Sequence, residues 1–217
     1  MKKIRAIYWD LDGTLYRYHP EASYLYGCLV ARAARALGAT ETEKQIIEHH
    51  IKVVEAHHYP ESLKNNGEFD RHRYHHLIQD GLDVDIMVEE VDGVREAFAS
   101  SRLPHALITH GSKPWAKRAL GKLGLREYFS DEWLFGFEDF DFHGKEASAK
   151  AYLQVLNQLG HKPDEVAMVE DSPRNLVHAH AIGMTTILLN HGQPLAELPD
   201  HIDAQHAHVA DVLEMLA

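Results

Sequence analysis

The chain has 217 residues, 45% of them hydrophobic and 25% charged, and this ordinary globular composition excludes a disordered or fibrous protein. Lys and Arg number 22 and Asp and Glu 33, so the formal net charge of −11 argues against a broad face for a nucleic-acid polymer or a membrane. The single cysteine, Cys28, cannot form an internal disulfide and no apolar stretch approaches the length of a membrane span, so we expect a cytoplasmic protein.

Four short apolar runs bounded by polar or turn residues predict buried strands at residues 4–9, 105–109, 166–169 and 185–189. Helical patterns lie between these runs at residues 114–123, 146–159 and 175–182, and a further helix is expected at 94–100. Strand alternating with helix is typical of a doubly wound parallel sheet covered by helices on both faces. We therefore assign the chain to the α/β class.

The segment from residue 16 to residue 91 has a different pattern. It contains long helical stretches, at residues 22–37 and 41–57, and no convincing strand. The simplest interpretation is a helical domain, residues 16–91, inserted after the first strand of an α/β core that comprises residues 1–15 and 92–217.

Two aspartates, Asp10 and Asp12, stand directly after the first predicted strand. Because they are two residues apart in an extended backbone, both carboxylates point to the same side. Gly13 permits a sharp departure from the strand, and Thr14 supplies a hydroxyl. Ligands of parallel sheets bind beyond the carboxyl ends of the strands, so this is where a site is expected.

The other predicted strands also end in polar residues. The second strand is followed by a Thr-His-Gly-Ser turn at the start of a helix, and the third is followed by two acids. A lysine stands just before the helix predicted at residues 146–159. The residues concerned are Thr109, His110, Lys145, Glu170 and Asp171. Four carboxylates at one sheet edge need a compensating charge, and a shared Mg²⁺ ion suits carboxylate ligands. A carboxylate beside Mg²⁺ can attack phosphorus to give an aspartyl-phosphate, while a second one transfers protons.

Four sequence motifs resemble the ordered motifs of the haloacid dehalogenase superfamily of phosphatases. They are DLDGTLY from Asp10, LITHG from Leu107, Lys145, and VEDSPRN from Val169. The resemblance covers the whole sheet-forming part, and it implies a Rossmann-like core in which the inserted segment is a helical cap. It further implies Asp10 as nucleophile and Asp12 as general acid/base.

The same resemblance implies the ligands of the phosphate group and of the metal. Thr109 and Lys145 would bind the substrate phosphate. Asp10, Glu170 and Asp171 would be the acids of an Mg²⁺ site, together with the main-chain carbonyl of Asp12.

Finer features are similar to the pyrimidine 5′-nucleotidase-like branch of this superfamily. They are Tyr16, Asn175 and the segment HAIGMTTILL from His180. This resemblance implies hydrolysis of nucleoside 5′-monophosphates or related small phosphate esters.

Two positions depart from that pattern. His110 stands where the branch has asparagine, and it could still donate a hydrogen bond to phosphate. Lys145 is followed by Glu146 instead of proline, and Lys150 is its rival as the phosphate ligand. We favour Lys145 because it ends a loop at the expected sheet edge, whereas Lys150 falls within a predicted helix.

Other functions and sites stay open at this point. A phosphomutase, or a phosphonate or sugar-phosphate hydrolase, could use the same fold, while a phospho-accepting signalling module is disfavoured because the middle strand has no aspartate. Histidines at helical spacing could bind zinc, although an exposed polar face is the simpler interpretation; they are His72, His75 and His76, with His49, His50, His57 and His58 as further candidates. The oligomeric state and the substrate are not predicted.

Overall fold

The computed structural model describes residues 3–52, 59–64 and 69–217 of the chain. The strands are β1 (Ala6–Trp9), β2 (Arg17–Tyr18), β3 (Val88–Glu89), β4 (His105–Ile108), β5 (Leu134–Phe135), β6 (Val166–Glu170), β7 (Thr185–Leu189) and β8 (Ala204–His206). The helices are α1 (Ala22–Ala36), α2 (Glu43–Lys52), α3 (Glu61–Lys64), α4 (Arg71–Asp80), α5 (Val84–Met87), α6 (Val94–Ser100), α7 (Lys113–Lys122), α8 (Lys150–Leu159), α9 (Pro173–Ala181) and α10 (Val209–Leu216). Among these helices, none has the length and apolar character that crossing a bilayer requires.

The chain divides into two units. One comprises Met1–Arg17 and Glu90–Ala217, and the other comprises Tyr18–Glu89. The divisions fall two residues from the boundaries expected on sequence at 15/16 and 91/92.

The first unit is built on a parallel sheet of six strands in the order β5-β4-β1-β6-β7-β8. This confirms the predicted doubly wound α/β fold. The four predicted strands are the four interior ones, and the two edge strands β5 and β8 were not predicted. Both edge strands are short, with two and three residues.

Alternate side chains of β1 pack against helices on opposite faces of the sheet. Ala6 and Tyr8 belong to a buried cluster that includes residues of α8 and α9. Trp9 contacts the other side, where its ring lies 5.1 Å from that of Phe98 in α6. Because both faces are covered, β1 is fully buried, and its apolar run needs no polar alternation.

The register of the sheet brings the ends of three strands together. Trp9, the last residue of β1, is paired with Leu107 of β4 on one side and with Val169 of β6 on the other. The Asp10 N–H donates to the Val169 carbonyl at 2.9 Å, so Asp10 leaves the sheet beside Glu170. The polar residues that follow these strands therefore meet at one edge, as expected for parallel strands.

Two predicted helix starts need correction. The helix predicted at 146–159 begins only at Lys150, because the Ala147 N–H bonds the Gly144 carbonyl in a turn at 3.1 Å and Ala149 is the N-cap. The helix after β6 begins earlier than predicted, at Pro173, whose missing N–H suits the first helical turn.

The second unit is helical. Helices α1, α2 and α4 pack around a buried cluster that contains Val30, Ile46, Tyr74 and Ile78. Of the predicted helix 41–57, the described part is α2, which begins at Glu43. Residues 53–58, which include the candidates His57 and His58, lie outside the described residues. The expectation of no strand in this segment is wrong in detail, since β2 and β3 form a two-stranded sheet.

Candidate active site

The Asp10 carboxylate is buried at the end of β1 and is bonded on both oxygens. Lys145 Nζ donates to Asp10 Oδ1 at 2.5 Å, and the Thr14 hydroxyl lies 3.0 Å from Asp10 Oδ2. The same hydroxyl lies 3.2 Å from Asp171 Oδ1 and accepts the Asp171 N–H at 3.1 Å. Thr14 therefore links the loop after β1 to the loop after β6.

Lys145 and Lys150, the two candidates for the phosphate-binding lysine, lie in different environments. Lys145 is 1% exposed, and besides Asp10 its ammonium donates to Glu170 Oε1 at 2.8 Å and to the Ile108 carbonyl at 3.1 Å. Lys150 is exposed at the start of α8, with its Nζ 3.4 Å from His143 Nδ1. The structure thus places Lys145 among the acids and Lys150 outside them.

Asp10, Glu170 and Asp171 form a cluster in which one oxygen of each lies within 4.8 Å of the others. Burial, followed by the charges of Glu170 and Asp12, raises the pKa of Asp10 to about 7 despite Lys145. Burial and the neighbouring charges of Glu170 and Asp10 raise the pKa of Asp171 to about 9. One lysine does not compensate three carboxylates, so the cluster has the charge and the ligand type that fit a divalent cation.

Glu170 differs from its two neighbours because its oxygens already accept several hydrogen bonds. Lys145 and Asn175 Nδ2 (2.5 Å) donate to Oε1, and the Ser172 N–H donates to Oε2 at 2.8 Å. Although burial alone would raise the pKa of Glu170, the Lys145 ammonium and hydrogen bonds from Asp171, Lys145 and the Ser172 N–H hold this pKa below its ordinary value. Glu170 is therefore ionised and fixed in orientation.

The Asp12 carboxylate lies in a different environment from that of Asp10. It accepts hydrogen bonds from three uncharged donors: Trp115 Nε1 at 2.6 Å, the Thr109 hydroxyl at 2.8 Å and the Tyr16 hydroxyl. Sequence reasoning missed Trp115 altogether. It also took Tyr16 only as a mark of a family branch, whereas the structure brings its hydroxyl to Asp12.

The start of α7 positions Trp115 and Thr109. Ser112 caps this helix by accepting the Trp115 N–H at 3.2 Å, and the Thr109 hydroxyl accepts the Gly111 N–H at 2.9 Å. A Cβ atom on Gly111 would lie 2.7 Å from Trp115 Cδ1, so the close approach of the indole ring to this loop requires glycine.

His110 lies at the same edge and contacts the loop that carries the lysine. Its Nε2 accepts the Lys145 N–H at 3.0 Å and lies 3.5 Å from the Glu146 carboxylate. Since Nε2 accepts this bond, it carries no proton there. His110 thereby joins the loop after β4 to the backbone of Lys145.

The histidines considered for zinc lie in the helical unit. His72 and His76 are exposed on α4, His75 is half-buried, and His76 Nε2 lies 3.0 Å from the Asp80 carboxylate. Within residues 3–52, 59–64 and 69–217, the group with the geometry of a metal site is Asp10, Glu170 and Asp171, and the histidines of α4 form no such group.

Sheet order, motif order and this arrangement of acids around one lysine define a class of hydrolases. The sequence profile of the haloacid dehalogenase-like hydrolases matches residues 4–183. The chain belongs to that family.

The chain is also similar to individual phosphatases of low sequence identity. The chain is 28% identical over 222 residues to a phosphoglycolate phosphatase of Yersinia pseudotuberculosis, covering 98% of this chain and 93% of that protein. It is 29% identical over 210 residues to a phosphorylated carbohydrates phosphatase of Thermotoga maritima, covering 89% and 91%. A crystal structure of a predicted phosphoglycolate phosphatase from Haemophilus somnus is similar in fold, with a TM-score of 0.66 at 15% identity and full coverage of both chains.

Proposed function

We propose that this protein is a phosphomonoester hydrolase that acts through an aspartyl-phosphate on Asp10. The observation that carries the proposal is the contrast between two carboxylates only two residues apart. Asp10 is bonded to the Lys145 ammonium within the acidic cluster, whereas the donors to Asp12 in the described part of the chain are all uncharged. Acids placed in distinct environments are suited to distinct roles, here nucleophile and proton carrier.

Magnesium is the proposed cofactor. Asp10 and Asp171 would hold the ion together with the Asp12 main-chain carbonyl, and Glu170 would contribute charge while keeping Lys145 in place. When bound, Mg²⁺ would supply positive charge that screens the cluster and the substrate phosphate. The crowding of three carboxylates around one lysine supports this assignment.

The first chemical step transfers the phosphoryl group to the enzyme. An Asp10 oxygen forms a bond to phosphorus as the bond from phosphorus to the ester oxygen breaks, and the proton on Asp12 moves to that departing oxygen. The products are an alcohol and an aspartyl-phosphate, with Asp12 now ionised. Lys145 and Thr109 bind the phosphate oxygens, and the ammonium offsets their negative charge.

The second step restores the enzyme. Asp12 takes a proton from a water molecule whose oxygen attacks phosphorus, the bond to the Asp10 oxygen breaks, and inorganic phosphate leaves. Asp10 is again a carboxylate and Asp12 is again protonated. The His110 contact with the Lys145 N–H supports a role for His110 in holding the phosphate-binding loop.

The named relatives favour a small phosphorylated acid or carbohydrate as substrate. Nucleoside 5′-monophosphates are the second candidate, supported by the resemblance of Tyr16 and Asn175 to the nucleotidase-like branch. Both residues have contacts inside the site, Tyr16 with Asp12 and Asn175 with Glu170, which explain their presence without a nucleoside. Small non-nucleotide esters are therefore the substrate class that we propose.

A screen of phosphate release tests the substrate class. With Mg²⁺ present, 2-phosphoglycolate and sugar phosphates should give kcat/KM at least about tenfold higher than nucleoside 5′-monophosphates. The opposite ranking would restore the nucleotidase assignment. Isomerised sugar phosphate without release of inorganic phosphate would indicate a phosphomutase instead.

Replacement of the nucleophile tests the covalent mechanism. Asp10→Asn should lower kcat on the best substrate by on the order of 10³-fold or more, because the amide cannot form the aspartyl-phosphate. The matched control is Asp164→Asn, an exposed aspartate before β6, which should retain full activity. Near-normal turnover by a folded Asp10→Asn protein would contradict the mechanism.

A further inference from the structure

The three donors to Asp12 are divided unequally between its two oxygens. Among the residues that the structure describes, Trp115 Nε1 and the Tyr16 hydroxyl both donate to Oδ1, whereas the Thr109 hydroxyl alone donates to Oδ2. Tyr16 and Trp115 are fully buried, with 0% and 1% of their surfaces exposed. Oδ1 is therefore enclosed by its two donors, and Oδ2 is the oxygen that has a lone pair left to bind a proton.

A carboxylate offers about two lone-pair sites on each oxygen. Two donors fill those of Oδ1, so a proton added to Asp12 finds its place on Oδ2. We propose that Trp115 and Tyr16 are positioning residues that hold Oδ1 and assign the transferred proton to Oδ2. This proposal rests on the proposed phosphatase mechanism and deepens it.

Trp115 has the stricter role of the two. An indole N–H can only donate, whereas a tyrosine hydroxyl can donate or accept. A proton on the Oδ1 lone pair that faces Trp115 would clash with the hydrogen of the indole N–H. Trp115 therefore excludes that protonation state, whereas the Tyr16 hydroxyl could turn and accept a hydrogen bond from a protonated Oδ1. The helix cap at Ser112 and the Arg118 guanidinium 5.4 Å above the indole ring keep the ring in this position.

Thr109 connects this arrangement to substrate binding. Its hydroxyl now accepts from the Gly111 N–H and donates to Asp12 Oδ2. If the Thr109 hydroxyl turns to the substrate phosphate, Oδ2 loses its donor while Oδ1 keeps both of its own. Oδ2 then takes up a proton from the solvent, gives it to the departing ester oxygen as the phosphorus–oxygen bond breaks, and later takes a proton from the attacking water.

The variant Trp115→Phe tests this proposal through the leaving group. Loss of the indole N–H should impair protonation of a poor leaving group such as an alcohol, and should matter less for p-nitrophenolate, which departs without a proton. We expect kcat/KM to fall by about 10- to 100-fold on an alkyl phosphate such as 2-phosphoglycolate, which is part of the effect of a general acid. The loss on p-nitrophenyl phosphate should be at least fivefold smaller.

Two controls separate positioning from packing. Trp133→Phe makes the same exchange at a half-buried tryptophan away from Asp12 and should leave both substrates unaffected. In an Asp12→Asn background, Trp115→Phe should cause no further selective loss, because both variants remove the same proton transfer. Equal losses on the two substrates, or a full additional loss in the Asp12→Asn background, would overturn the proposal.

The indole proton gives a readout that does not depend on activity. The chain has three tryptophans, so an ¹H–¹⁵N spectrum of the indole groups contains three signals, and Trp115→Phe assigns one of them. That signal should shift strongly in Asp12→Asn and little in Asp164→Asn. If Trp115→Phe does not fold, Tyr16→Phe removes one hydroxyl and takes its place in the kinetic test. If the proposed function itself is wrong, the unaltered protein will not hydrolyse phosphate esters, and this result is distinct from every outcome above.

Discussion

His105 opens β4 with its imidazole buried among aromatic rings. The ring centroids of Phe98, Trp9 and Phe129 lie 4.7, 6.1 and 6.0 Å away. His105 Nδ1 accepts a hydrogen bond from Trp9 Nε1 at 3.1 Å, which requires this nitrogen to be unprotonated. Burial lowers the pKa of His105 to about 4, so the folded protein keeps the ring neutral.

This histidine should make stability fall in acid. His105 binds a proton near pH 6.5 in the unfolded chain but only near pH 4 in the folded protein. The free energy of unfolding therefore falls as the pH drops between these two values. From His105 alone, the free energy of unfolding in urea should be about 2 kcal/mol lower at pH 5 than at pH 7. His105→Gln should reduce this pH dependence, and the exposed His143→Gln should not; equal curves for all three proteins would contradict the assignment.

Single residues of the site were predictable where a strand end fixes them. Asp10, Thr109 and Asp171 follow buried apolar runs, and parallel strands bring such positions to one edge. Trp115 was not predictable, because a tryptophan on a helix after a strand has the pattern of a core residue. Its contact with Asp12 depends on which way the indole nitrogen points, and this is decided by tertiary packing, including the close approach of the ring to Gly111.

At the scale of elements, the sequence predicted the interior strands and missed the edges. Interior strands are apolar on both faces and therefore stand out as continuous runs. Strand β8 has the sequence Ala-Gln-His and is only half-buried, and β5 has two residues, so neither produces such a run. Their pairing depends on tertiary contacts that no local pattern records.

The connection between β7 and β8 depends on one aspartate. Asp203 Oδ2 accepts both the N–H and the hydroxyl of Thr186, at 2.8 and 3.0 Å, and the Asp203 N–H donates to the Thr186 carbonyl at 2.9 Å. Thr186 is completely buried, so its N–H has no access to water. The aspartate thus satisfies a buried donor next to the edge of the sheet.

Removing that side chain should destabilise the first unit. Asp203→Ala leaves the buried Thr186 N–H without its acceptor and should lower the free energy of unfolding by about 1 to 2 kcal/mol. Asp203→Asn keeps one acceptor oxygen and should cost less, while the exposed Asp200→Ala serves as a matched control with little effect. Urea unfolding monitored by circular dichroism measures all three, and equal effects of Asp203→Ala and Asp200→Ala would refute this role.

At the scale of the whole molecule, the helical insert was predictable as a change of pattern between residues 16 and 91. Its two short strands were not, because two-residue strands leave no signature in a sequence. The composition shows only that the chain is acidic, whereas the gathering of acids at one sheet edge was predicted from their positions after the strands. Only the folded sheet brings Asp10, Glu170 and Asp171 within 4.8 Å of one another.

That concentration of charge should couple the stability of the folded protein to Mg²⁺. An ion that binds only the folded state at about 100 times its Kd stabilises it by about 2.7 kcal/mol, enough to raise Tm by about 5 to 10 °C in a protein of this size. Asp171→Asn should remove most of this shift, because it replaces one of the proposed carboxylate ligands of the ion with an amide. Asp164→Asn should keep the shift, and KCl of equal ionic strength should not reproduce it. Hydrolysis should stop with a chelator and return with added Mg²⁺, so chelator-resistant activity, or an undiminished thermal shift in Asp171→Asn, would remove the ion from the mechanism.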